Sequence, residues 1–91
     1  MKYLHQIVKA HEGTVVTVKF DKPAKIMLLH HFDFLKYQDH HTHRYMGGHT
    51  EKSPVLFTIP ADGTWHIVIE LGSYFKPMHI IASVETTTKK K

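Results

Sequence analysis

Ten of the 91 residues are histidine, and six of the ten fall between His30 and Ser53. Imidazole ligates transition metals, relays protons and changes charge near neutral pH. The densest run is His40-His41-Thr42-His43. In an extended segment His41 and His43 project on one face and offer two nitrogens to zinc, copper or nickel. A third ligand is available from His49, His30, His31 or Asp39, and His41, His43 and His49 form the candidate metal set. Catalytic zinc needs three protein ligands and an open position, and no HExxH pattern fixes such a site here. The primary expectation is therefore no cofactor, with zinc or another divalent transition metal as the alternative.

Recognition chemistry has more to draw on. Tyr37, Tyr45 and Tyr74 offer ring faces for stacking, and Arg44 is the one arginine in the chain, suited to an anion. Together with hydrogen bonds from His43 and His66, this gives a candidate ligand-binding set of Tyr37, His43, Arg44, Tyr45 and His66. The plain readings stand beside it: tyrosines cap small sandwiches, His66 serves equally well as a hydrogen-bonded structural residue, and the 40–49 segment as a solvated loop.

Nucleophilic catalysis finds little support. Ser53, Ser73 and Ser83 lie in no GxSxG elbow. No carboxylate pair stands out for glycosidase chemistry, and no glycine-rich phosphate loop is present. A non-catalytic module is expected.

The elements that must position these residues read as strands. Val16, Val18 and Phe20 alternate with Val15, Thr17 and Lys19. Ala24 to His30 is apolar on both faces from Ile26 to Leu29, as in a central strand. Pro54 to Ile59 follows, then the turn Pro60-Ala61-Asp62-Gly63. From Thr64 to Leu71, Trp65, Ile67 and Ile69 face one way, so Trp65 is placed in the core with His66 opposite. Met78 to Thr86 alternates again, and Tyr3 to Lys9 opens the chain as a less regular strand. Starts near residues 3, 14, 24, 54, 64 and 78 predict an all-β fold, a single antiparallel, jelly-roll-like β-sandwich of six to eight strands. The stretch from His31 to Ser53 is a long loop holding at most a short helical turn over 32–38 and a short strand over 43–46. Gly47-Gly48 marks a point of close approach.

Length, composition and charge bound the rest. One domain over residues 1–88 is expected, with Lys89 to Lys91 as a flexible tail. The formal charge is +4, of which the tail supplies three, so the body carries only +1. That balance and the single arginine argue against a nucleic-acid surface. No apolar run spans a membrane, and no signal segment is recognised. With cysteine absent as well, the expected setting is the cytoplasm of a bacterial-type cell. Protonating all ten histidines would carry the charge from +4 to +14, so the electrostatics are steeply pH-dependent below neutrality.

Tyr45-Met46-Gly47-Gly48, Lys52-Ser53-Pro54, Pro60, Gly63-Thr64-Trp65-His66 and Leu71-Gly72 occur in order. With Tyr3-Leu4-His5, the Val15–Val18 strand and the aromatic Phe34–Tyr37 segment, they resemble a small bacterial domain-of-unknown-function family that occurs alone or joined to TIR domains. The likeness covers nearly the whole chain except the lysine tail. It implies a β-sandwich without established activity and, by association with TIR domains, a sensing or partner-recognition role in signalling or antiphage defence. The chain departs from the family in its extra histidines around 40–49. The function expected is a binding or interaction module for a small polar or anionic ligand or a signalling partner. A histidine-ligated metalloprotein or metallohydrolase is the alternative. A self-associating module, using an exposed sheet edge or outer residues such as Ile81, is the third.

Overall fold

Side-chain alternation decides which face each strand buries. In β2 (Val15–Phe20), Val16, Val18 and Phe20 are buried while Lys19 is exposed. β3 (Ala24–His30) and β6 (Gly63–Glu70) bury both faces, Ile26 to Leu29 in one and Trp65 to Ile69 in the other. A computed structural model, which describes residues 2–72 and 79–88, explains the difference. β3 and β6 are the two central strands of a four-stranded sheet ordered β1 (Tyr3–Ala10), β6, β3, β4 (Met46–Thr50). A second sheet is ordered β5 (Val55–Thr58), β2, β7 (Ala82–Thr87). Every pairing within both sheets is antiparallel. The seven strands among the described residues form the expected all-β sandwich.

The register sorts the core. Val8 faces Trp65, Ile26 faces Ile69 and Leu28 faces Ile67 on the inner side of the larger sheet. These pack against Val16, Val18 and Phe57 from the smaller sheet, with Ile59 and Ile80 closing the layer. The next residues along the same strands, Met27, Leu29 and Val68, point outward, where Phe34 of α1 (His31–Gln38) covers them. Burying each such side chain contributes roughly 1.5–3 kcal/mol. That docking holds an eight-residue helix too short to persist alone.

The segment expected as a loop with one helical turn thus contains a helix of two turns. His30 is its N-cap, accepting the Phe32 N–H at 3.4 Å, and Asp33 and Lys36 sit at the ends that suit their charges. Its exit is a Schellman motif: the His41 N–H donates to the Lys36 carbonyl at 2.8 Å and the His40 N–H to the Tyr37 carbonyl at 3.2 Å. His40 occupies the left-handed position, φ 61°, that usually takes glycine. The strand expected over 43–46 lies instead at Met46–Thr50, because residues 41–45 are spent returning from the helix exit. A Cβ on Gly47 would meet the Ile26 carbonyl and lie 3.0 Å from the Phe57 ring, so the close approach expected there is present.

The final described strand, β7, spans Ala82–Thr87, and residues 79–81, expected within it, lie outside the ladder. Asp21 binds both main-chain groups of Ile81, accepting its N–H at 2.8 Å and donating its own N–H to the carbonyl at 3.2 Å. The ladder with β2 starts one residue later. Met78, Tyr74, Ser73 and the tail Lys89–Lys91 lie outside the described residues.

Candidate functional site

Where β3 ends and α1 begins, the chain turns over one end of the sandwich. The 41–45 segment folds back against this corner, held by the Arg44 N–H donating to Asp33 Oδ1 at 3.1 Å. The result is a pocket of about 190 Å³ floored by Leu28, Met46 and Trp65 and walled by His30, Asp33, Arg44 and Tyr45. Trp65 is fixed by its indole N–H donating to the Ala61 carbonyl at 2.9 Å, and His30 stands edge-on to it at 5.2 Å. Tyr45 is 43% exposed, with the Lys25 ammonium 4.9 Å from its ring centre. Arg44 is exposed, and its guanidinium is in neither of the ion pairs among the described residues, which join His11 to Asp62 and His49 to Glu51. One guanidinium, a half-exposed aromatic face and one carboxylate therefore meet at a small apolar floor, with the Lys25 ammonium beside the Tyr45 ring.

Beside it runs an aromatic row. The His43 ring is 5.2 Å from Tyr37 and 5.6 Å from Tyr45, and its Nδ1 lies 3.0 Å from the His41 carbonyl. Tyr37 donates its hydroxyl to Glu70 Oε2 at 2.7 Å. Burial, followed by that carboxylate, pushes the Tyr37 hydroxyl well above its ordinary value. A second cavity of about 500 Å³ opens there, lined by Tyr3, Tyr37, Gln38, His40 and Glu70. It is larger, but its carboxylate is already engaged by Tyr37.

His66 is elsewhere. It lies beneath α1, 3% exposed, with Phe34 stacked on its ring at 4.2 Å. Its Nδ1 is 2.6 Å from His5 Nε2 and its Nε2 is 3.0 Å from His31 Nδ1. A neutral imidazole donates from one nitrogen and accepts at the other, so the three rings form a directional chain from β1 to the helix start. Burial, then the neighbouring charges of His5, His31 and His30, lower the His66 pKa to about 4. Burial lowers His5 as well.

Of the five residues expected to bind together, the structure gathers Arg44 and Tyr45 at the pocket and sets His43 between Tyr45 and Tyr37. His66 does not face that segment; its neighbours are the two histidines and Phe34 that the helix and β1 bring over it. His30, Asp33 and Trp65 complete the pocket, and Lys25 completes the Tyr45 surface. Sequence reading missed His30 and Asp33 as pocket walls because a helical turn expected over 32–38 does not by itself show that its start meets Arg44 and Trp65. The described residues hold no group of three or more histidines, aspartates or glutamates able to bind a metal ion, so His41, His43 and His49 are not gathered into a ligand set. His49 instead sits 3.9 Å from Glu51. No described helix is long and apolar enough to cross a membrane.

No curated protein and no solved structure matches the chain significantly. A family model does match it, over residues 1–89, and by that match the chain belongs to the family described as a domain of unknown function, DUF1883.

Proposed function

We propose that the protein is a non-catalytic binding module that recognises a small polar ligand carrying one acidic group at the Arg44–Tyr45 pocket. The observation that carries this reading is the exposed Arg44 beside the exposed ring of Tyr45, over an apolar floor of Leu28, Met46 and Trp65. In this arrangement Arg44 pairs the acidic group through two parallel N–H donors. Tyr45 stacks on a flat portion of the ligand, and Asp33, whose Oδ1 is engaged by the Arg44 main chain, offers its other oxygen to a ligand donor. A floor of about 190 Å³ accommodates one ring or one acidic group rather than a whole nucleotide. With about ten ligand atoms engaged, a dissociation constant on the order of 0.1–1 mM follows.

Phenyl phosphate and benzoate are suitable probes, with phenol as the neutral control. Calorimetric titration should give saturable binding for the two anions and none for phenol. Arg44→Ala should weaken binding roughly tenfold or more, the loss of a charge-assisted pair, and Tyr45→Ala should weaken it severalfold. Equal affinity for phenol, or unchanged affinity in Arg44→Ala, would contradict the reading.

A further inference from the structure

β1 is the outer strand of the four-stranded sheet, paired along all eight residues with β6 and, among the described residues, on that side only. Its outward main-chain groups can be assigned. The Leu71 N–H donates to the Lys2 carbonyl at 2.9 Å, one step beyond the Tyr3–Glu70 pair in the same register. In an antiparallel ladder, hydrogen-bonded pairs alternate with unbonded ones. Lys2, Leu4, Gln6, Val8 and Ala10 therefore turn their amides toward β6, and Tyr3, His5, Ile7 and Lys9 turn theirs away from the sheet. Among the described residues the one hydrogen bond to those outward groups is a 3.4 Å contact from the Gln6 side chain to the Ile7 carbonyl.

Exposed edges are commonly blunted by proline, a bulge or charge within the strand. β1 has no proline and no break in register, and the charges stand at its ends, at Lys2 and Lys9. On its inner side a cleft of about 280 Å³ runs between the two sheets, from Leu4 and Ile69 across to Ala82 and Val84 of β7. Leu4 is 36% and Ile7 52% exposed, one on each face of the edge. An added strand would drop alternate side chains into this cleft, where Leu4, Ile67, Ile69, Ala82 and Val84 offer apolar contact beside His5, Gln6 and Ser83.

Charge selects the occupant. The strand carries no acidic residue, and neither Lys2 nor Lys9 is in an ion pair among the described residues. A second copy lying antiparallel on the edge would bring Lys9 of one chain toward the Lys2 end of the other, an unfavourable like-charge pairing. We propose that β1 is a docking edge for an extended peptide of a partner protein, with apolar residues at alternate positions and an acidic residue at each end, which adds as a fifth strand to the larger sheet. Main-chain hydrogen bonds to Tyr3, His5, Ile7 and Lys9 hold it, the cleft selects its apolar face, and the two lysines set its ends. This site lies apart from the Arg44 pocket and stands or falls without it.

The probe is an eight-residue fluorescent peptide of alternating valine and threonine with an aspartate at each end; its control has lysines there. Fluorescence anisotropy with the full chain should find the acidic-ended peptide bound at least tenfold more tightly. Amide exchange at Tyr3, His5, Ile7 and Lys9 should slow when it is bound. Ile7→Pro deletes an outward donor without taking one from β6 and should reduce binding at least tenfold with the circular dichroism unchanged. The double variant Lys2→Glu with Lys9→Glu keeps every main-chain donor and should reverse the preference toward the lysine-ended peptide, which decides the matter even if the proline variant does not fold. Saturation without slowed exchange at those four amides, or no reversal of preference on charge reversal, would overturn the proposal. So would dimerisation through β1 in the absence of peptide.

Discussion

Protonating the central imidazole of the His5–His66–His31 chain would make both its nitrogens donors, so the neighbour that had donated to it would have to change tautomer to accept. Burial favours the neutral state, and the His66 pKa of about 4 lies well below the ordinary histidine value of 6.5. The unfolded chain therefore binds a proton between about pH 6.5 and 4 that the folded chain refuses. Stability contributed by neutral His66 is fully present above pH 6.5, is lost as pH falls through that window, and levels off below it. Between pH 7 and pH 5 the expected loss is about 2 kcal/mol, measurable as a fall in the urea midpoint. His66→Phe should remove most of this pH dependence, although at pH 7 it costs about 1–2 kcal/mol for two lost hydrogen bonds. A wild-type midpoint that is flat across this range would contradict the assignment. The alternation of β6 placed Trp65 inward and His66 outward from the sequence alone. What covers His66 was not legible, because the register that brings His5 diagonally opposite it is a property of strand pairing, not of either strand.

At the scale of elements, the strands were legible, while the helix was legible only as a short turn over 32–38 and not in its full length. Strands announce themselves by period two and by flanking breaks, as Val16, Val18 and Phe20 do before Asp21-Lys22-Pro23. α1 has a weak amphipathic signal: Phe34 is its one buried residue, Tyr37 half-buried beside it, while Phe32 at 66% and Leu35 at 40% exposure face solvent. Its existence is decided by the Met27–Leu29–Val68 surface it covers, which local sequence does not contain. Its end is held by His40 in a left-handed conformation, where a side chain costs about 1 kcal/mol relative to glycine. His40→Gly should accordingly raise stability by about 0.5–1 kcal/mol, read as an increase in the denaturation midpoint. The reverse logic applies to Gly47→Ala, where the added Cβ meets the Ile26 carbonyl and the Phe57 ring at a φ of 102°. That variant should lose at least about 2 kcal/mol through strain and displaced backbone. A neutral effect at Gly47 would mean that β4 is free to shift away from β3.

At the scale of the whole molecule, histidines that the composition pools together lie in separate places. Histidine-rich composition pointed to one loop as the seat of chemistry, yet the fold distributes those side chains. One group caps and ends the helix at His30, His40 and His41; His31, in its first turn, meets His66 beneath it; His43 joins the aromatic row. The surface also carries a cation–aromatic pocket at one corner of the sandwich and, among the described residues, an unpaired strand edge along one side. That Arg44 and Tyr45 lie together at the pocket was legible because neighbouring residues on a short segment stay together in any fold. His30, Asp33 and Trp65 joined it only through the corner where β3, α1 and β6 meet.

The central claim, that recognition occurs at this corner and not at the buried histidines, is tested most directly by nuclear magnetic resonance of the labelled chain titrated with phenyl phosphate. The expected result is saturable movement of the Arg44 and Tyr45 amides, the Asp33 amide and the Trp65 indole N–H, with the imidazole signals of His5, His31 and His66 unmoved. Movement of those three imidazoles with the Arg44 and Trp65 signals unchanged would contradict it.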